Sequence, residues 1–111
     1  VYIKTRKLIL SSENPFHFSG TAGKGIGSPH TGLDRIWPIS LVMQGLTSNN
    51  DAEIRQCLQT LQKCHAGTGF MHESFHKNDP AKFTRSWFAW ANTIFGELIW
   101  KVYREKPHLL K

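Results

Sequence analysis

Acidic side chains are scarce in this 111-residue chain. Eight Asp and Glu stand against fourteen Lys and Arg, for a formal charge of +6. With only two cysteines, a disulfide-stapled scaffold is excluded. No apolar run approaches the roughly 20 residues that a membrane-spanning helix needs, so no membrane partner is expected. No signal peptide and no initiator Met stand at Val1, and the chain opens in mid-pattern, like a piece of a longer protein. Nor does any stretch alternate apolar and polar residues in the period of a strand. The fold class expected is therefore all-α, with about four helices.

The basic excess gathers at the ends, at Lys4, Arg6 and Lys7 and again at Lys101, Arg104, Lys106 and Lys111. Such a balance can serve nucleic acid or an anionic surface, and a basic, non-catalytic helical interaction module is one reading of it. No recognition motif accompanies the charge, so no nucleic-acid partner is expected. Solvated helix faces, or the basic share of a larger chain, account for it. Cys57 and Cys64 lie seven positions apart on an expected helix, about 10 Å along one face. That exceeds the ~7 Å over which a disulfide closes without distortion. Two buried thiols suit a reducing compartment such as the cytoplasm.

What is abundant is aromatic surface: 12% of residues, four of them Trp, mostly between Phe70 and Tyr103. Residues 2–11 read as a first helix, ended by Asn14-Pro15. A loop with five glycines follows, from Gly20 to Gly32. Its Gly23-Lys-Gly-Ile-Gly27 lacks the Gly-Lys-Ser/Thr ending of a phosphate loop, and no strand is expected before it. So many glycines imply close approach of the backbone to a ligand or to another loop. Asp34 reads as the cap of a helix from Arg35 to Leu46, with Pro38 in its first turn. The clearest amphipathic helix runs from about Asp51 to Cys64, with Ile54, Cys57, Leu58 and Leu61 on one face. Asp79-Pro80 then reads as the start of a long helix reaching Glu105, with Phe83, Trp87, Ala91, Ile94, Leu98 and Val102 as its stripe.

The chain is organised around Gly67-Thr-Gly-Phe-Met-His-Glu-Ser-Phe-His76, which reads as a loop or a single turn. His72-Glu73-Ser-Phe-His76 matches the zinc-peptidase pattern His-Glu-x-x-His. That chemistry needs both histidines on one face of a helix. Glycines before it and Asn78-Asp-Pro80 after it leave room for two turns at most, so a zinc metallopeptidase is an alternative that lacks its supporting helix. Glu73, beside Ser74 and two histidines, could instead be a hydrolytic general base that deprotonates water. In glycoside hydrolysis such a base pairs with a second carboxylic acid, and Trp37, Trp87, Trp90 and Phe70 could stack on sugars. Core packing is the plainer role for each of these aromatics, and helix capping or ion pairing for the carboxylate.

Several blocks, in order, resemble glycoside hydrolase family 125. They are Thr5-Arg-Lys-Leu-Ile-Leu-Ser11 with Asn14-Pro-Phe16, Gly25-Ile-Gly-Ser-Pro-His-Thr31, Ile36-Trp-Pro-Ile-Ser40 with Gln44-Gly-Leu-Thr-Ser48, Gly67-Thr-Gly-Phe-Met-His-Glu-Ser-Phe75, and Phe83-Thr-Arg-Ser-Trp-Phe-Ala-Trp-Ala-Asn92 with Phe95-Gly-Glu-Leu98. The resemblance implies a metal-independent, inverting exo-α-1,6-mannosidase on an (α/α)6 barrel, with no cofactor. Its substrates would be terminal α-1,6-linked mannosides or N-glycan-derived oligosaccharides. It places the general base at Glu73, and makes His30, Ser28 and His72 candidate sugar contacts. Family members are several times longer. Residues 1–111 would then be one C-terminal portion of a larger (α/α)6 catalytic domain, its partner the remainder of that domain. The Asp general acid would lie in that remainder, leaving the isolated portion inactive.

Overall fold

The structure is a computed structural model that describes residues 1–110. Four α-helices are present: α1 (Tyr2–Ile9), α2 (Pro38–Leu46), α3 (Asp51–Cys64) and α4 (Ala89–Glu105), followed by a 3₁₀ turn at Pro107–Leu110. Between them lie two small antiparallel sheets. One pairs β1 (His17–Ser19) with β2 (Lys24–Ile26). The other orders β3 (Arg35–Ile36), β4 (Ser74–His76) and β5 (Asp79–Thr84) as β3-β4-β5. The expectation of an all-α chain is corrected accordingly. No helix among the described residues is long and apolar enough to cross a membrane.

α3 forms where its periodicity places it. Asn50 caps it, its side chain accepting from the Glu53 N–H at 3.0 Å, and Asp51 and Glu53 sit at the positive end of the helix. Its buried face of Ile54, Cys57, Leu61 and Cys64 packs on α2, which also packs on α4. Gly45 of α2 lets the Leu98 side chain of α4 come close, within 3.2 Å of where a Cβ would stand. Ile36, Leu41, Val42, Leu61, Phe75 and Leu98 are all buried in this shared core.

Two helix starts differ from the sequence expectation. Asp34 does not cap a helix. It takes a left-handed φ of 64° and its carbonyl accepts the Lys77 N–H at 2.9 Å, feeding Arg35–Ile36 into the sheet. The helix begins only at Pro38, whose missing N–H costs nothing in a first turn. Likewise, Asp79-Pro80 starts no helix. The Asp79 carboxylate accepts from Ala81 N–H at 2.9 Å, a local turn, while the chain runs on as β5. Phe75 pairs with Phe83 and Ser74 with Thr84 across the β4-β5 hairpin. Those long-range pairings outweigh a local start signal, and α4 waits until Ala89.

Two glycines of the loop come close to backbone elsewhere in the chain. A Cβ on Gly20 would stand 2.5 Å from the Lys77 carbonyl oxygen, and one on Gly27 would stand 2.0 Å from that of Arg35. Gly23–Gly27 is largely strand β2, so it forms no phosphate cradle.

Candidate active site

Glu73 stands at the entry to β4, held from several directions. Its N–H donates to the carbonyls of Thr84 (3.1 Å) and Arg85 (3.3 Å). Just before it, the Asn92 side-chain amide accepts from Met71 N–H at 3.0 Å and donates to Met71 O at 2.9 Å, while Phe88 N–H donates to the same carbonyl. Just after it, the Ser74 and Thr84 hydroxyls bond at 2.6 Å. The central segment is therefore stitched to the end of β5 and the start of α4. A carboxylate on such a mount is pre-positioned rather than mobile.

The Glu73 side chain is only 7% exposed and opens into a cleft of about 520 Å³ lined by His30, Trp37, Glu73, Arg85, Trp87, Phe88, Ala89 and Trp90. Three of the four aromatics singled out from sequence line it. Phe70 lies elsewhere and is exposed. The rings form an edge-to-face chain: His30 to Trp37 at 6.3 Å, Trp37 to Phe88 at 6.0 Å, and Phe88 to Trp90 at 5.6 Å between centroids. The Trp37 indole N–H donates to Thr31 Oγ1 at 2.7 Å, which ties the ring to the His30 loop.

The other candidates separate. His30 joins Glu73, its Nε2 lying 3.9 Å from Glu73 Oε2. Ser28 does not line the cleft; its hydroxyl accepts the His30 N–H at 3.2 Å and shapes the turn that presents the imidazole. His72 is fully buried on the opposite side of the strand. Its Nδ1 lies 2.6 Å from Ser86 O, its Nε2 lies 3.2 Å from His65 O, and its ring stacks on Phe83 at 3.9 Å. Both nitrogens face backbone carbonyls, and the ring does not line the cleft.

The same geometry dismantles the zinc motif. Residues 72–76 run into an extended strand, and at about 3.3 Å per residue the two histidines lie roughly 13 Å apart instead of one helical turn. His76 Nδ1 accepts from Asn78 N–H. Among the described residues no cluster of His, Cys, Asp or Glu is arranged to hold a metal ion. Three of the terminal basic residues have internal work: Arg6 pairs with Glu53 at 2.8 Å, Lys101 Nζ donates to Leu46 O at 2.8 Å, and Lys106 bonds Asp51. The charge offers no support for a separate interaction module.

Two residues escaped the reading of the sequence. Arg85 brings its Nε to 3.5 Å from Glu73 Oε2, from a backbone with φ 42°. Asn92, expected on a helix face, clamps the Glu73 loop. Both lie in the Phe83–Asn92 block, but their roles have no local signature, because each acts across a contact made only on folding.

Residues 1–100 match the family described as metal-independent alpha-mannosidase (GH125). The chain belongs to this family of glycoside hydrolases. The resemblance carried by the Met-His-Glu-Ser-Phe and Trp-Phe-Ala-Trp-Ala-Asn blocks is thereby borne out. The meiotically up-regulated gene 157 protein of Schizosaccharomyces pombe is 52% identical over 112 residues, covering 100% of this chain and 22% of the relative. A Streptococcus pneumoniae metal-independent alpha mannosidase, solved as a non-productive substrate complex with alpha-1,6-mannobiose, superposes with a TM-score of 0.90. The identity is 48%, over 96% of this chain and 25% of that one. The chain thus spans about a quarter of the length of these two proteins.

Proposed function

We propose that this chain supplies the general-base wall of an inverting exo-α-1,6-mannosidase, with Glu73 as the base. One observation carries the reading: a rigidly mounted carboxylate, nearly withdrawn from solvent, opens into an aromatic cleft of sugar size in a GH125 chain. The S. pneumoniae neighbour, a complex with alpha-1,6-mannobiose, supports α-1,6-linked mannosides as the substrate class. N-glycan-derived oligosaccharides carrying such linkages extend it.

In the reaction, Glu73 takes a proton from water while the water oxygen bonds to the anomeric carbon, on the face opposite the departing oxygen. The glycosidic C–O bond breaks, and its oxygen takes a proton from a carboxylic acid contributed by the rest of the domain. Inversion requires the two carboxyl groups to stand about 6.5–9.5 Å apart, leaving room for the water. His30 at the cleft rim is placed to contact the sugar, while Ser28 and His72 act only through the residues they hold. Residues 1–111 would form one C-terminal portion of an (α/α)6 barrel, whose remaining helices cover the apolar faces left open here.

Replacing Glu73 by Gln in the intact protein keeps the shape and removes the base. Turnover of α-1,6-mannobiose should fall by about 10²–10⁴-fold, with circular dichroism unchanged. Undiminished turnover by that variant refutes the assignment.

A further inference from the structure

Arg85 holds a left-handed backbone, φ 42°, which disfavours any residue bearing a side chain. Packing does not account for it, because the Arg85 side chain is 66% exposed. Nor does its ion pair, since a pair with so exposed a partner adds little to stability. Both ends of the residue act instead on Glu73. The Arg85 carbonyl accepts the Glu73 N–H at 3.3 Å, while its Nε reaches to 3.5 Å from Glu73 Oε2. The backbone bond sets the spacing between the two residues. The kink then turns the guanidinium back over the carboxylate.

Arg85 and His30 both reach the same carboxylate oxygen, Oε2. The carboxylate opens into the cleft that Trp37, Trp87 and Trp90 also line. Resting on the reading of Glu73 as the base, we propose that Arg85 is its positioning residue. Arg85 fixes the carboxylate in the orientation from which it takes the proton of the attacking water. The strained backbone is kept because it delivers this aim.

The test uses the intact mannosidase. Glycine adopts φ 42° freely, so Arg85→Gly removes the side chain without harming the fold, and its melting temperature should equal or exceed the parent's. Its kcat on α-1,6-mannobiose should fall about 100-fold, the cost of a misaimed catalytic group. KM should stay within about threefold, because the lost interaction serves the transition state and not sugar binding. Arg85→Lys, which keeps the charge but not the planar fork, should fall between the two. Added guanidinium should restore part of the kcat of R85G and none of the kcat of E73Q. A parental kcat in R85G overturns the proposal. So does a loss confined to KM, which would make Arg85 a sugar contact, or a loss that neither lysine nor guanidinium relieves. If the parent enzyme hydrolyses no α-mannoside, or E73Q stays active, the assignment of Glu73 itself has failed, an outcome separate from any result at Arg85.

Discussion

Cys57 and Cys64 share the α3 face turned into the core, and burial pushes their thiols up to about 11 and about 12. A thiolate is the reactive form, so neither should react with a thiol reagent at pH 8 in the folded protein. Both should react once denaturant opens the core, and stoichiometric thiol titration with and without urea checks this. Gly27 is a residue of another kind, required by space and not by charge. An added Cβ would meet the Arg35 carbonyl at 2.0 Å and the Phe18 ring at 2.9 Å, and the carbonyl belongs to β3, which cannot retreat without breaking its pairing with β4. Gly27→Ala should cost roughly 2–4 kcal/mol, read as a lower urea midpoint at an unchanged slope. The spacing of the cysteines was legible from helical periodicity alone. The clash at Gly27 was not, since its partner lies on another strand.

Among the elements, the 3₁₀ turn at Pro107–Leu110 is tied to the start of α3 through one carboxylate. Hydrogen bonds from Lys106, and then from His108 at 2.9 Å, hold the Asp51 carboxyl below the usual carboxylate range. A depressed folded value means that the tether contributes fully above the unfolded carboxyl's value and is lost as pH falls through the folded one. Urea midpoints of the parent should therefore drop as pH is lowered from 7 to 3, and Asp51→Asn should flatten part of that drop. A parallel fall in the variant would show that Asp51 plays no part. Elements also explain where the reading of sequence failed. Asp79-Pro80 and Asp34 are good helix-start residues locally, yet each is extended or left-handed here because β3, β4 and β5 pair across 40 residues of chain. α3, whose signals all lie within its own span, was legible at both ends.

At the scale of the whole molecule, the radius of gyration of 13.2 Å is that expected of a folded domain of this length. Even so, large apolar side chains remain uncovered. Ile3 is 77% exposed, Trp90 73%, and the stacked pair Trp100 and Tyr103 lies outside the core on α4. Together with a span of about a quarter of its relatives, this predicts that residues 1–111 expressed alone self-associate and hydrolyse no mannobiose. The intact protein should stay dispersed and active. Size-exclusion chromatography and a mannose-release assay distinguish the two, and a monodisperse, active 111-residue piece would contradict the prediction.

From the amino-acid sequence by itself came the family blocks, the span of α3, the inert thiols and Glu73 as the candidate base, because each rests on local period or on a contiguous motif. Tertiary structure alone decided that His72 faces backward, that Ser28 only shapes a turn, that Asn92 clamps the loop, and that Arg85 leans over the carboxylate. Side chains choose sides only when β4 pairs with β3 and β5, and that register depends on contacts between residues far apart in the chain, which no local pattern encodes.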